Sequence, residues 1–158
     1  MDIRQLRAGN LVTTNGKPAG TTNGNVYKIL DTNSANRLDE LELIGGATIE
    51  ILDGEYRTTV GAWLDYLEPI EITDEILKKL SFSKRTSSYN INIKSTEYDI
   101  IVSNLYPKEA IGKVDYNIVI LDRNIIMCKR HIKYLHTLQN LIFDMTDLEL
   151  YVENLISK

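Results

Sequence analysis

Within one short stretch, Lys129, Arg130, His131, Lys133, Tyr134, His136, Gln139 and Asn140 gather most of the chemistry-bearing side chains of this chain. The apolar spacing around them predicts a helix from about Arg130 to Met145. That helix would carry its cations at its start, where the macrodipole disfavours positive charge by some tenths of a kcal/mol each. Cations make sense there if they surround an anion, because free helix N–H groups and nearby Lys or Arg together cradle phosphate. Lys129, Arg130, His131, Lys133, Tyr134 and His136 therefore form the candidate ligand-binding set, and Lys84 and Arg85 are placed to converge on it. The plainer reading of the same cations is a solvated face, or ion pairs with acidic residues of the first half.

The helix itself singles out two further residues. At about 100° per residue with Ile132 at zero, Leu135, Leu138, Leu141, Ile142, Phe143 and Met145 share an arc from about 180° to about 20°. Gln139 falls inside that arc, and His136 falls on its border. A buried amide without partners costs about 1–3 kcal/mol, so Gln139 and Asn140 are expected to belong to a satisfied structural polar network.

Other chemistries find little support. The chain has no P-loop, nucleophile elbow, zinc-protease or dinucleotide motif, and Gly45-Gly46 lacks the spacing for the last of these. On one helix His131 and His136 would lie about 140° apart, too far round to share a metal as an i, i+4 pair does. Cys128 is the only cysteine, which excludes an internal disulfide and a zinc site built on paired cysteines. A metal-independent hydrolase using His136 as base would need Asp99, Asp122 or Asp144 as orienter, and no spacing selects one. Neither metal nor cofactor is expected.

Composition sets the frame. A chain of 158 residues that is 43% hydrophobic suits one compact unit or a tight pair of units. Its net charge is −4, with 6 Lys+Arg against 11 Asp+Glu up to Glu71 and 12 against 11 from Ile72 onward. General nucleic-acid binding by a basic face is not expected. No apolar run reaches a membrane span and Met1 to Arg7 opens no secretion signal, so a cytoplasmic protein without membrane association is expected.

To Ile72 the chain reads as short strands: Leu11-Val12, Val26–Leu30, Leu41–Ile44, Thr48–Leu52 and Tyr56–Val60. Turns are expected at Asn15-Gly16, Asn23-Gly24, Gly45-Gly46 and Asp53-Gly54. The expected fold is α+β. Residues 1–71 form a small SH3-like β-barrel or bent meander, and residues 72–158 form an α+β module whose antiparallel sheet packs against the C-terminal amphipathic helix. Pro69 marks the boundary, Thr73 caps a short helix to about Leu80, and Tyr89–Ile93, Tyr98–Val102 and Tyr116–Leu121 are strands. The continuous run Ile118-Val119-Ile120-Leu121 suits a central strand. Nine tyrosines, including Tyr89, Tyr98, Tyr106, Tyr116 and Tyr134, would suit base stacking or an aromatic interface, or simply half-buried strand positions.

Three blocks, Leu6-Arg7-Ala8-Gly9-Asn10-Leu11-Val12, Pro69-Ile70-Glu71-Ile72-Thr73-Asp74-Glu75-Ile76-Leu77, and Tyr134-x-His136-x-Leu138-Gln139-Asn140-Leu141-x-Phe143, resemble a family of small proteins of gut bacteria and their phages. The chain departs from the family at Ile76, where Trp is usual, at Asp147, where Gly is usual, and in the longer stretch from Thr13 to Asn25. The family carries no established activity, so the resemblance implies an architecture and a phage or mobile-element setting in a bacterial host, and no catalytic residue. Two functions are expected in rank order. The first is a non-catalytic binding protein that sequesters a small anionic, nucleotide-like ligand, with antagonism of bacterial defence signalling as a setting. The second is a protein-interaction module that blocks or bridges a host or phage protein. Either is compatible with a homo-oligomer, and hydrolysis through His136 ranks third.

Overall fold

A computed structural model describes residues 5–32, 36–39, 42–53, 56–85, 88–92, 98–104, 116–123, 125–150 and 155. Two mostly antiparallel sheets and two helices make the chain α+β. It divides into two compact units, Met1–Ile70 with Leu135–Lys158, and Glu71–Tyr134. The expected boundary near residue 71 is one of the two crossings. The other lies at Leu135, where the C-terminal helix groups with the first unit.

In the first unit, β1 (Leu11–Thr14), β2 (Val26–Asp31), β3 (Asn36–Asp39), β4 (Glu42–Asp53), β5 (Tyr56–Trp63) and β6 (Leu67–Glu68) form one sheet in the order β3-β4-β2-β1-β6, with β5 paired to β4. A 3-10 turn, Leu64–Tyr66, joins β5 to β6. Among the described residues β5 and β6 do not pair, so the sheet does not close into a barrel. The two runs on either side of Gly45-Gly46 are one strand, because residues 42–45 pair with β3 while residues 46–53 pair with β5. No turn forms at those glycines. The Asp53 to Tyr56 hairpin is present as a strand pair, although Gly54 lies outside the described residues. Val12, Tyr27, Ile29, Ala47, Ile49, Ala62, Leu64 and Leu67 fill the core, with Leu6 at its margin.

Helix α2 (Leu135–Thr146) is shorter than its sequence pattern. Lys133 and Tyr134 are extended, since the carbonyl of Lys133 accepts the N–H of Ile72 at 2.9 Å and Tyr134 bridges Glu71. The helix ends at Asp147, which adopts a left-handed conformation (φ 56°) while its N–H donates to Phe143 O at 2.7 Å. Glycine is favoured at such a position, and Asp tolerates it better than most residues.

The second unit begins with α1 (Asp74–Lys79), whose Thr73 side chain caps the N–H of Ile76. Its sheet runs β11-β10-β9-β8-β7, all antiparallel: β7 (Ser83–Lys84), β8 (Ser88–Asn92), β9 (Tyr98–Asn104), β10 (Tyr116–Asp122) and β11 (Ile125–Ile132). On β10, Tyr116, Ile118 and Ile120 are buried and their neighbours only partly so, which gives one well-covered face. The run from Ile118 to Leu121 therefore does lie in an interior strand. Ile93 and Tyr106 fall outside the described residues.

Candidate functional site

The expected helix start at Lys129 to His131 is a β-strand. Its register sets Lys129 against Val119, Arg130 against Ile118 and His131 against Asn117 of β10. Successive strand side chains point to opposite faces, so Lys129 and His131 lie on one face and Arg130 on the other. The three side chains therefore cannot close round a single small anion, and no helix amides assist them. His136 lies in α2, in the other compact unit, and is buried. Burial lowers its pKa below the ordinary imidazole value, which favours the neutral ring.

Lys133 is already occupied. Its ammonium lies 2.8 Å from Glu71 Oε1 and 5.1 Å from the Tyr134 ring centroid, and the hydrogen bond to Glu71 raises its pKa. Lys84 belongs to β7, at the opposite edge of the sheet from β11. Four strand spacings of about 4.8 Å separate those edges, roughly 19 Å, so Lys84 does not join Arg130. Instead Lys84 Nζ donates to Asp74 Oδ2 at 3.2 Å while Tyr116 Oη donates to Asp74 Oδ1 at 3.3 Å, which pins the first turn of α1 to the sheet. Burial, and then the charge of Asp74, push the Tyr116 phenol up to about 12. Arg85 is exposed beyond β7. Within the second unit, then, the candidate cations do not converge.

What the structure does bring together is an unpaired edge. β11 ends the sheet, and among the described residues it pairs only with β10. Ile125, Ile126 and Met127 are 65%, 64% and 48% exposed, and they make up three of the four exposed large apolar side chains among the described residues. The register shifts between Ile120 and Leu121, leaving Met127 as the extra residue of a bulge. Immediately beyond, Lys129, Arg130 and His131 are exposed, and among the described residues no carboxylate lies within ion-pairing distance of any of them. Charge is also divided between the units: the first carries 7 Lys+Arg against 14 Asp+Glu, the second 11 against 8. Among the described residues no strand takes the outer edge of β11, so one extended segment offers backbone donors and acceptors, apolar surface and positive charge.

The Gln139 and Asn140 pair lies in the first unit and does different work. Gln139 is fully buried; its Oε1 accepts the N–H of Leu11 at 2.9 Å and its Nε2 donates to Gly9 O at 3.0 Å. Asn140 Oδ1 accepts from Asn10 Nδ2 at 2.8 Å, and its own Nδ2 donates to Gln5 O. Arg7 completes the joint: its guanidinium bonds both Glu149 oxygens, at 2.6 and 3.2 Å, and lies 4.1 Å from the Phe143 ring centroid. The residues shared by the first and third sequence blocks therefore hold each other. They form a structural clasp in which every amide partner is a protein group.

Compared with models of protein families, with curated proteins and with solved structures, the chain finds no match.

Proposed function

We propose that this protein is a non-catalytic interaction module that takes an extended segment of a partner protein along the free edge of β11. The observation that carries the reading is the exposure of Ile125, Ile126 and Met127 on an edge strand. Natural edge strands are commonly protected by lysines and bulges, and Lys129, Arg130 and the Met127 bulge are devices of that kind. Protection does not account for three successive large apolar side chains in water beside them. Strand addition does, since main-chain hydrogen bonds supply affinity and the flanking side chains supply selectivity. The first unit is read as an SH3-like scaffold whose clasp keeps α2 in place.

The resemblance to proteins of gut bacteria and their phages supports a phage or mobile-element origin and action in the cytoplasm of the bacterial host. Blocking a host component, a defence protein among them, suits that setting. A second reading, capture of a small anionic ligand, is favoured by Lys129 and Arg130, which meet no carboxylate among the described residues, and opposed by their division between two faces.

The test is site-specific photocrosslinking in the bacterial cell. A crosslinker at position 126 should give a discrete protein adduct that a crosslinker at exposed Lys78, on α1, does not give. Equal labelling at both positions, or none, combined with calorimetric nucleotide binding, would replace the interaction reading by the ligand-binding one.

A further inference from the structure

We infer that the segment received by β11 is acidic at its N-terminal end and apolar at its C-terminal end, and that it adds antiparallel. This rests on the interaction reading above. β11 is itself divided: apolar Ile125, Ile126 and Met127 come first, and cationic Lys129 and Arg130 with the imidazole of His131 follow. The sheet is antiparallel throughout, and an added antiparallel strand continues its hydrogen-bond pattern. A strand running opposite to β11 meets His131 first and Ile125 last. Its leading residues therefore face the cations and its trailing residues face the apolar stretch.

The charge pattern narrows the occupant further. Lys129 and Arg130 point to opposite faces, so two successive acidic residues on the partner can each meet one of them, whereas one phosphate group cannot meet both. A second copy of this chain fits less well. Antiparallel self-pairing centred on Cys128 would set Lys129 against Met127 and Arg130 against Ile126, leaving six cationic or imidazole side chains without an acidic partner. The exposed Lys129 and Arg130, free of any carboxylate among the described residues, are complemented better by an acidic partner than by a second copy.

The experiment is fluorescence titration of the full chain with labelled synthetic peptides. The first peptide carries two successive glutamates, one threonine and then Val-Ile-Val. Its companions are the same sequence reversed and a version with glutamine for glutamate; an RNA oligonucleotide is a fourth probe. The acidic-first peptide should bind best, and the exposed-site variant Lys129→Gln/Arg130→Gln should weaken it by about tenfold, the size of two opposite-charge cross-strand pairs. Ile126→Asp/Met127→Asp should abolish binding, with melting curves confirming that both variants fold. If the aspartate variant does not fold, the charge variant and the peptide changes still decide.

Tighter binding of the reversed peptide, or equal binding of the glutamine peptide, would overturn the inferred partner while leaving β11 as an interaction edge. RNA binding lost in the glutamine variant, or a dimer in sedimentation lost on Ile126→Asp, would assign the edge to nucleic acid or to a second copy. No peptide binding at all overturns this inference; crosslinking at position 126 then decides separately whether the edge meets a protein.

Discussion

Gln139 Oε1 accepts the backbone N–H of Leu11 at 2.9 Å, so a side chain of the last helix terminates the backbone bonding of the first strand. The same amide reaches Gly9 O through Nε2 at 3.0 Å. Both backbone groups are left without their partner if Gln139 is shortened. A buried group so stranded costs about 1–3 kcal/mol, and Gln139→Ala should lower unfolding stability by that amount in a urea titration. Gln139→Glu should cost at least as much, because a carboxylate cannot donate to Gly9 O. An unchanged urea midpoint for both variants would remove the clasp from the account.

Gly9 takes φ +90°, and a Cβ built there would lie 3.1 Å from Glu149 Oε1. Gly9→Ala should therefore destabilise by about 1–2 kcal/mol from the backbone conformation alone. Adding Glu149→Ala relieves the contact but releases Arg7 from its partner. The double variant should remain less stable than wild type by urea titration, and full recovery would show that the contact alone, and not the backbone, sets the requirement for glycine.

His136 supplies a pH dependence with a definite sign. Burial lowers its folded-state pKa below 6.5, the value the unfolded chain keeps. Below that pH the unfolded state binds the extra proton, so the stability contributed by the neutral ring is present above about 6.5 and is lost as pH falls toward the depressed folded value. Thermal melts between neutral and mildly acidic pH should show this decline. A His136→Gln variant should lose that part of the slope, and an identical slope in both proteins would place its origin elsewhere.

The sequence made part of this legible and concealed the rest for identifiable reasons. Gln139 stands out because an amide on an apolar arc must find partners, and the partners are the backbone groups of Gly9 and Leu11. Thr73 and the strand at Tyr116 to Asp122 were readable from a cap and from an unbroken apolar run. The part of β11 from Arg130 onward reads as helix in the sequence because an edge strand solvated on both faces shows no two-residue alternation, and Ile132 happens to continue the helical spacing of Leu135 and Leu138. What halts the helix is remote in sequence: Ile72 N–H takes the carbonyl of Lys133, and Ile70 O takes the N–H of Leu135. The sequence divides the 42–53 strand at Gly45-Gly46 because glycines mark turns more often than places where one strand changes partners.

The central claim is that β11 presents a free edge for a partner strand, and amide hydrogen exchange across Ile125–Ile132 tests it most directly. In the free protein the outward-facing amides of this strand should exchange within the fastest class, while those facing β10 are protected. Adding the acidic-first peptide should slow the outward set specifically, with little change in β7 at the other edge. Outward amides already protected in the free protein, or peptide binding that leaves β11 exchange unchanged, would contradict the account.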